Sequence, residues 1–160
     1  MLMKKAIYPG SFDPITNGHI DIITRLSQIF DHVTVLVAHS LKKNYLFSAE
    51  QRVELCKKSV EGIQNVSVDV FEGLTVDYAK KQGANIIVRG IRAVSDFEHE
   101  TAIANVNKCL APNIETLIIL SKPEYNFVAS RLVKEVAFNK GDLSLLVPAI
   151  VEEALKGKFH

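Results

Sequence analysis

The sequence predicts an α/β fold, a Rossmann-like doubly wound five-stranded parallel sheet with helices on both faces. Three observations predict it. Short β-branched or aliphatic runs recur along the whole chain, segments with helical spacing separate them, and the runs are too continuously apolar for strands with one solvated face. The first run is Ala6-Ile7-Tyr8, and Ile20, Ile23, Leu26 and Phe30 then recur at helical spacing. Val33 to Ala38 forms the second run, followed by Val53, Leu55, Cys56 and Val60 on a second helical stripe. Ser48 with Gln51 three residues on reads as a capping box for that helix. Val66 to Phe71, Ile86 to Val88 and Leu117 to Leu120 supply the remaining strands, and Gly83 and Gly141 stand where helices should end. Pro148 to Gly157 reads as a terminal helix with proline in its first turn.

Residues 1–160 read as one domain, because no repeat, low-complexity tract or Pro/Gly/Ser-rich linker divides them. A chain of this length buries roughly 68–70% of its unfolded surface and needs neither disulfides nor zinc to build a core. Cys56 and Cys109 belong to no CxxC pair, which fits a cytoplasmic protein. No apolar run is long enough to span a membrane, and no secretory leader is recognisable, so no membrane partner is expected. The net charge of +1 gives no global field for nucleic acid, so any binding of phosphate must come from placed residues.

Ligands of a doubly wound sheet sit at the carboxyl ends of its strands. Pro9 to His19 follows the first strand, Lys42-Lys43 the second, Arg89-Gly90-Ile91-Arg92 the fourth and Ser121-Lys122 the fifth. Cations are thus gathered at one rim, as a polyphosphate requires. Gly10 and Gly18 would let a ligand approach the backbone, and a helix starting near Gly18 would aim N–H groups at an anion. His19, in its first turn, could donate to a phosphate oxygen. An Asp13-Pro14 carboxylate reads as a local cap that orders the loop, without a metal role. There is no P-loop, no GxGxxG after the first strand, no HExxH and no serine elbow.

Tyr8-Pro9-Gly10-Ser11-Phe12-Asp13-Pro14-Ile15-Thr16-Asn17-Gly18-His19 resembles the first signature of the (H/T)xGH nucleotidyltransferase superfamily. Four further stretches resemble its phosphopantetheine adenylyltransferase branch: Lys43 before Phe47, Leu74-Thr75, Arg89 to Val94 with Asp96-Phe97-Glu98 and Glu100, and Ser130 with Leu132-Val133-Lys134-Glu135. The chain departs from that pattern at Ser40-Leu41 and at Ala129-Ser130-Arg131.

The resemblance implies transfer of AMP from ATP to 4′-phosphopantetheine, giving dephospho-coenzyme A and pyrophosphate. It implies that His19 and Lys43 are catalytic and that Ser11, Lys43, Thr75 and Arg89 hold phosphopantetheine. Ser11, Phe12, His19, Gly90, Ile91, Arg92, Glu100, Tyr125, Asn126, Phe127, Val128, Ala129, Ser130 and Arg131 would enclose ATP. Magnesium would arrive with ATP, coenzyme A could act as a feedback ligand, and a homohexamer is expected. Competing readings are a nicotinate-mononucleotide adenylyltransferase, a glycerol-phosphate cytidylyltransferase, a nucleotide sensor without turnover and a flavin carrier.

Overall fold

The computed structural model describes residues 3–159. Five strands, β1 (Lys5–Gly10), β2 (His32–His39), β3 (Val66–Glu72), β4 (Ile86–Ile91) and β5 (Glu115–Leu120), form one parallel sheet in the order β3-β2-β1-β4-β5. The chain winds outward from β1 to β3, then crosses back to lay β4 on the other side of β1. The β1/β4 boundary is therefore the point at which strand order reverses, and a crevice opens above it.

Alternation along the strands divides the core between two faces. Tyr8, Val33, Val35, Val37 and Val88 face α1 (Asn17–Ser27), α2 (Ala49–Ser59), α5 (Ser130–Phe138) and α6 (Ala149–Phe159). Ile7, Leu36 and Ile87 face α3 (Thr75–Gln82) and Ala111 and Ile114, which follow α4 (Val94–Leu110). Both faces are covered, as the continuous apolar runs require.

Every predicted strand is present, and the Ser48/Gln51 capping box forms with both of its reciprocal bonds. Gly83 ends α3 with φ 62°, a left-handed position that costs glycine nothing. Four expectations change. Phe30 lies beyond α1, which stops at Ser27. Gly141 is not the left-handed residue after α5; Lys140 takes that conformation at φ 59°, while a Cβ on Gly141 would stand 2.7 Å from Val136 Cγ1. Gly141 is small for space, not for φ. The last helix runs two residues further than Gly157, and Pro148 immediately precedes its first residue. Finally, Arg89, Gly90 and Ile91 are not a loop after the fourth strand. They continue β4, paired with Ile118, Ile119 and Leu120 of β5. Glycine suits that interior position because a Cβ there would come within 2.6 Å of Ile22 Cδ1, where α1 crosses the strand. Both cysteines are free. Among the described residues no helix is long and apolar enough to cross a membrane.

Candidate active site

A cleft of about 440 Å³ opens above β1 and β4. Its floor is the loop after β1. Phe12 takes φ 46° and turns its ring inward, 2% exposed, edge-on to Tyr8 and His19 at centroid distances of 5.6 and 5.0 Å. A Cβ on Gly10 would stand 3.1 Å from that ring, so the missing side chain makes room for Phe12 and not, as expected, for a ligand. Burial pushes the Tyr8 phenol well above its ordinary pKa, so it stays a neutral hydroxyl despite Arg89 and Arg92 nearby.

Thr16 then caps α1. Its side chain accepts from the His19 N–H, and His19 reciprocates when its Nδ1 accepts from the Thr16 N–H at 3.0 Å. With Nδ1 acting as acceptor, the imidazole hydrogen lies on Nε2. Burial, reinforced by the Arg92 charge, lowers the His19 pKa to about 4. The ring is therefore a neutral Nε2–H donor lining the cleft at physiological pH.

Asp13 does more than a local cap. Its carboxylate accepts from the Leu46 N–H at 2.9 Å and the Phe47 N–H at 3.0 Å, and it pairs with Lys134 Nζ at 3.1 Å. One buried side chain thus joins the first loop, the loop after β2 and α5. Both carboxylate oxygens are occupied. Among the described residues no three His, Cys, Asp or Glu side chains converge as a metal site.

The predicted cations divide in two. Lys43, Arg92 and Arg131 line the cleft, with Lys134 joining them from α5. Arg92 keeps a loose contact with Asp96 at 3.5 Å, and the Arg92 N–H holds the Asp96 carboxyl below its ordinary range. Arg89, in contrast, is committed to Glu100 through one bidentate edge, Nε donating to Oε2 and Nη2 to Oε1 at 2.9 Å, and its Nη1 donates to the Pro9 carbonyl. Lys122 is tied to Asp21 at 2.9 Å.

Ser11, Phe12, His19, Lys43, Gly90, Arg92, Tyr125, Val128, Ala129, Ser130 and Arg131 meet at the cleft as sequence reasoning expected. Thr75, Arg89, Ile91, Glu100, Asn126 and Phe127 do not line it. Thr75 opens α3 at the same sheet edge, and Arg89 with Glu100 braces the end of β4 behind Tyr8. Ser121, expected on the ligand side of the fifth strand, lines the cleft, whereas Tyr8, Thr16, Asn44, Tyr45 and Lys134 line it without having been expected as site residues. Another unexpected feature is the start of α5. Ala129 offers no side-chain cap, and the Ser130 hydroxyl is spent on the Pro14 carbonyl at 2.8 Å, so backbone N–H groups of a second helix start open beside Arg131.

An open helix start, a neutral imidazole donor and the unpaired Lys43 and Arg131 around a switch-point crevice suit a polyanionic ligand. The Cytidylyltransferase-like family model matches residues 7–136, which sets the class. The relatives narrow it. A phosphopantetheine adenylyltransferase of Bdellovibrio bacteriovorus is 54% identical over 99% of both chains. That of Desulforudis audaxviator is 52% identical over 98% of this chain and 96% of its own. The chain belongs to the phosphopantetheine adenylyltransferase family. A Vibrio parahaemolyticus structure provisionally described as a nicotinate-nucleotide adenylyltransferase superposes with TM-score 0.74, covering 98% of this chain and 93% of its own; at 21% identity it shows the shared fold alone.

Proposed function

We propose that the cleft transfers the adenylyl group of ATP to 4′-phosphopantetheine, producing dephospho-coenzyme A and pyrophosphate, a step of coenzyme A synthesis. A phosphate oxygen of phosphopantetheine attacks the α-phosphorus of ATP. The new O–P bond forms as the bond to the β-phosphate oxygen breaks, and pyrophosphate leaves with that electron pair. The nucleophile has a second pKa of about 6 and is already a dianion at neutral pH, so no general base is needed. What is needed is alignment of two anions and stabilisation of charge on the α-phosphate.

The observation that carries this reading is the His19 tautomer. A ring held neutral, with Nδ1 occupied by Thr16 and Nε2–H left as donor, suits a transition-state hydrogen bond and not proton abstraction. Lys43 bridges the attacking and transferred phosphates. Ser11, Arg92, Arg131 and the α5 N-terminus hold the polyphosphate, with Tyr125 and Val128 around the nucleotide, while Thr75 and the Arg89–Glu100 pair, outside the cleft lining, would meet only the part of phosphopantetheine that extends beyond it. Magnesium enters as part of the ATP substrate, carried mainly by phosphates and water, while the Asp13 carboxylate is engaged by Leu46, Phe47 and Lys134.

Coenzyme A, which shares the pantetheine arm with the product, would compete for the same cleft. Val94, Phe97 and Leu110 on α4 and Leu117 and Leu120 on β5 are exposed and leave apolar surface at this end of the sheet for the self-association expected of a homohexamer. Two free thiols fit the cytoplasm. The direct test is pyrophosphate release from magnesium-ATP with 4′-phosphopantetheine, beside nicotinate mononucleotide and, with CTP, glycerol 3-phosphate. Turnover with phosphopantetheine alone is expected. Turnover with either other acceptor would replace this reading.

A further inference from the structure

Arg52 is the largest fully buried side chain of the described residues, at 0% exposure, although it sits on a helix whose other cations are at the surface. It has no carboxylate partner among the described residues. Instead its Nη1 donates to the Ser11 carbonyl at 2.7 Å and the Ala38 carbonyl at 3.0 Å, and Nη2 donates to His39 Nδ1 at 3.0 Å. Tyr45 covers the guanidinium with its ring at 3.9 Å, and His39 stacks on Tyr45 at 5.5 Å. The Tyr45 hydroxyl accepts from the Ser40 N–H at 3.1 Å, which closes the loop over the cation. Arg52 Nε is buried without an acceptor.

A guanidinium stays charged when buried, and an isolated buried charge is costly, so neutral carbonyls and a ring compensate it only in part. Its five donors form a planar fork that fixes direction as well as charge. Those donors reach the carbonyl of Ser11 and the end of β2, and the face of the guanidinium lies under Tyr45 of the 40–45 loop that carries Lys43. We propose that Arg52 is a positioning residue of the transfer reaction. It locks Ser11 and the Lys43 loop into one geometry through Tyr45 and His39, from behind the cleft that would take the polyphosphate. The inference rests on the polyphosphate reading of the cleft and extends it to a residue that does not line it.

The test compares wild type, Arg52→Lys, Tyr45→Leu and the double variant by steady-state pyrophosphate release, with folded fraction and melting temperature measured alongside. Arg52→Lys keeps a charge but loses the fork. We expect kcat per folded site to fall about ten- to hundredfold, with KM for ATP changing less, because a small misplacement of Lys43 is felt mainly in the transition state. Tyr45→Leu, at a half-buried site, is expected to lower kcat in the same direction while folding normally. The double variant should be no slower than Arg52→Lys alone, since both changes release the same loop. Unchanged kcat per folded site in both single variants, or losses that multiply, would overturn the proposal. If wild type is silent with every acceptor, the functional reading fails separately. The proposal is then decided by hydrogen exchange at the Ser40 amide, whose bond to the Tyr45 hydroxyl closes the loop and whose exchange Arg52→Lys should quicken about tenfold; equal exchange would end it.

Discussion

Two loops face each other across the cleft, and they are built in opposite ways. The loop after β1 is interlocked: Phe12, Asp13, Pro14, Ile15 and Thr16 are all buried, and His19 is held by a reciprocal cap. The loop after β2 is open: Leu41, Lys42, Lys43 and Asn44 are all exposed, and it is anchored only at its flanks, by Arg52 on Ala38 and His39 and under Tyr45, and by Asp13 on Leu46 and Phe47. A hydrogen-bond donor to a developing charge must stand still, because its worth lies in needing no rearrangement. A lysine that bridges two incoming anions must first let them enter, so its side chain is left free while its backbone is moored at both flanks.

The sharpest way to test that contrast is to remove one residue from each loop. His19→Ala deletes the donor and half of the capping box. Turnover should fall on the order of 10²–10³ with nucleotide affinity nearly unchanged, and about 1 kcal/mol of stability should go with it. Lys43→Ala should lower turnover by about tenfold to a hundredfold while leaving the melting temperature in place, because an exposed cation contributes little to folding. Rate assays and calorimetry on the two variants read both quantities. Equal stability losses would show that the loops are not built differently.

Asp13 belongs to both loops, and Asp13→Asn should make the interlocked one behave like the open one. An amide offers one oxygen where two backbone N–H groups need acceptors, and Lys134 loses its counter-ion. Destabilisation of about 2–3 kcal/mol is expected, measured by urea unfolding. Hydrogen exchange at Leu46 and Phe47 should quicken together. Protection unchanged at both amides would mean that the 40–47 segment is held by Arg52 and packing alone.

The contrast also explains what could be read in advance. Strands, the Ser48/Gln51 box and the placement of His19 at a helix start are local patterns, and local patterns survive in a single sequence. Arg89 and Glu100 were separately legible as site residues, but not as partners, because eleven positions and a strand-to-helix turn lie between them. Asp13 reads as a cap because Asp-Pro is a turn signal, whereas its true acceptor role is set by a segment thirty-three residues away. Arg52 carried one overlooked signal. It shares a helical face with buried Leu55 and Cys56 at i+3 and i+4, where a solvated arginine has no place.

The smallest expected effect concerns pH. Folding lowers the His19 pKa from 6.5 to about 4, so between those values the unfolded chain binds more protons than the native one. The stability tied to the neutral ring is therefore complete above about pH 6.5 and is lost as pH falls toward 4. Allowing for the part of the ring open to the cleft, the loss at pH 5 is about 1 kcal/mol, or roughly 2–4 °C in melting temperature for a chain of this size. Carboxylates titrate in the same range, so the informative quantity is a difference between variants. His19→Gln should flatten the curve by that amount, and Lys43→Ala should keep the wild-type slope. Parallel curves for all three proteins would place the imidazole in solvent, and with that the fixed Nε2–H donor on which the contrast between the loops depends would be gone.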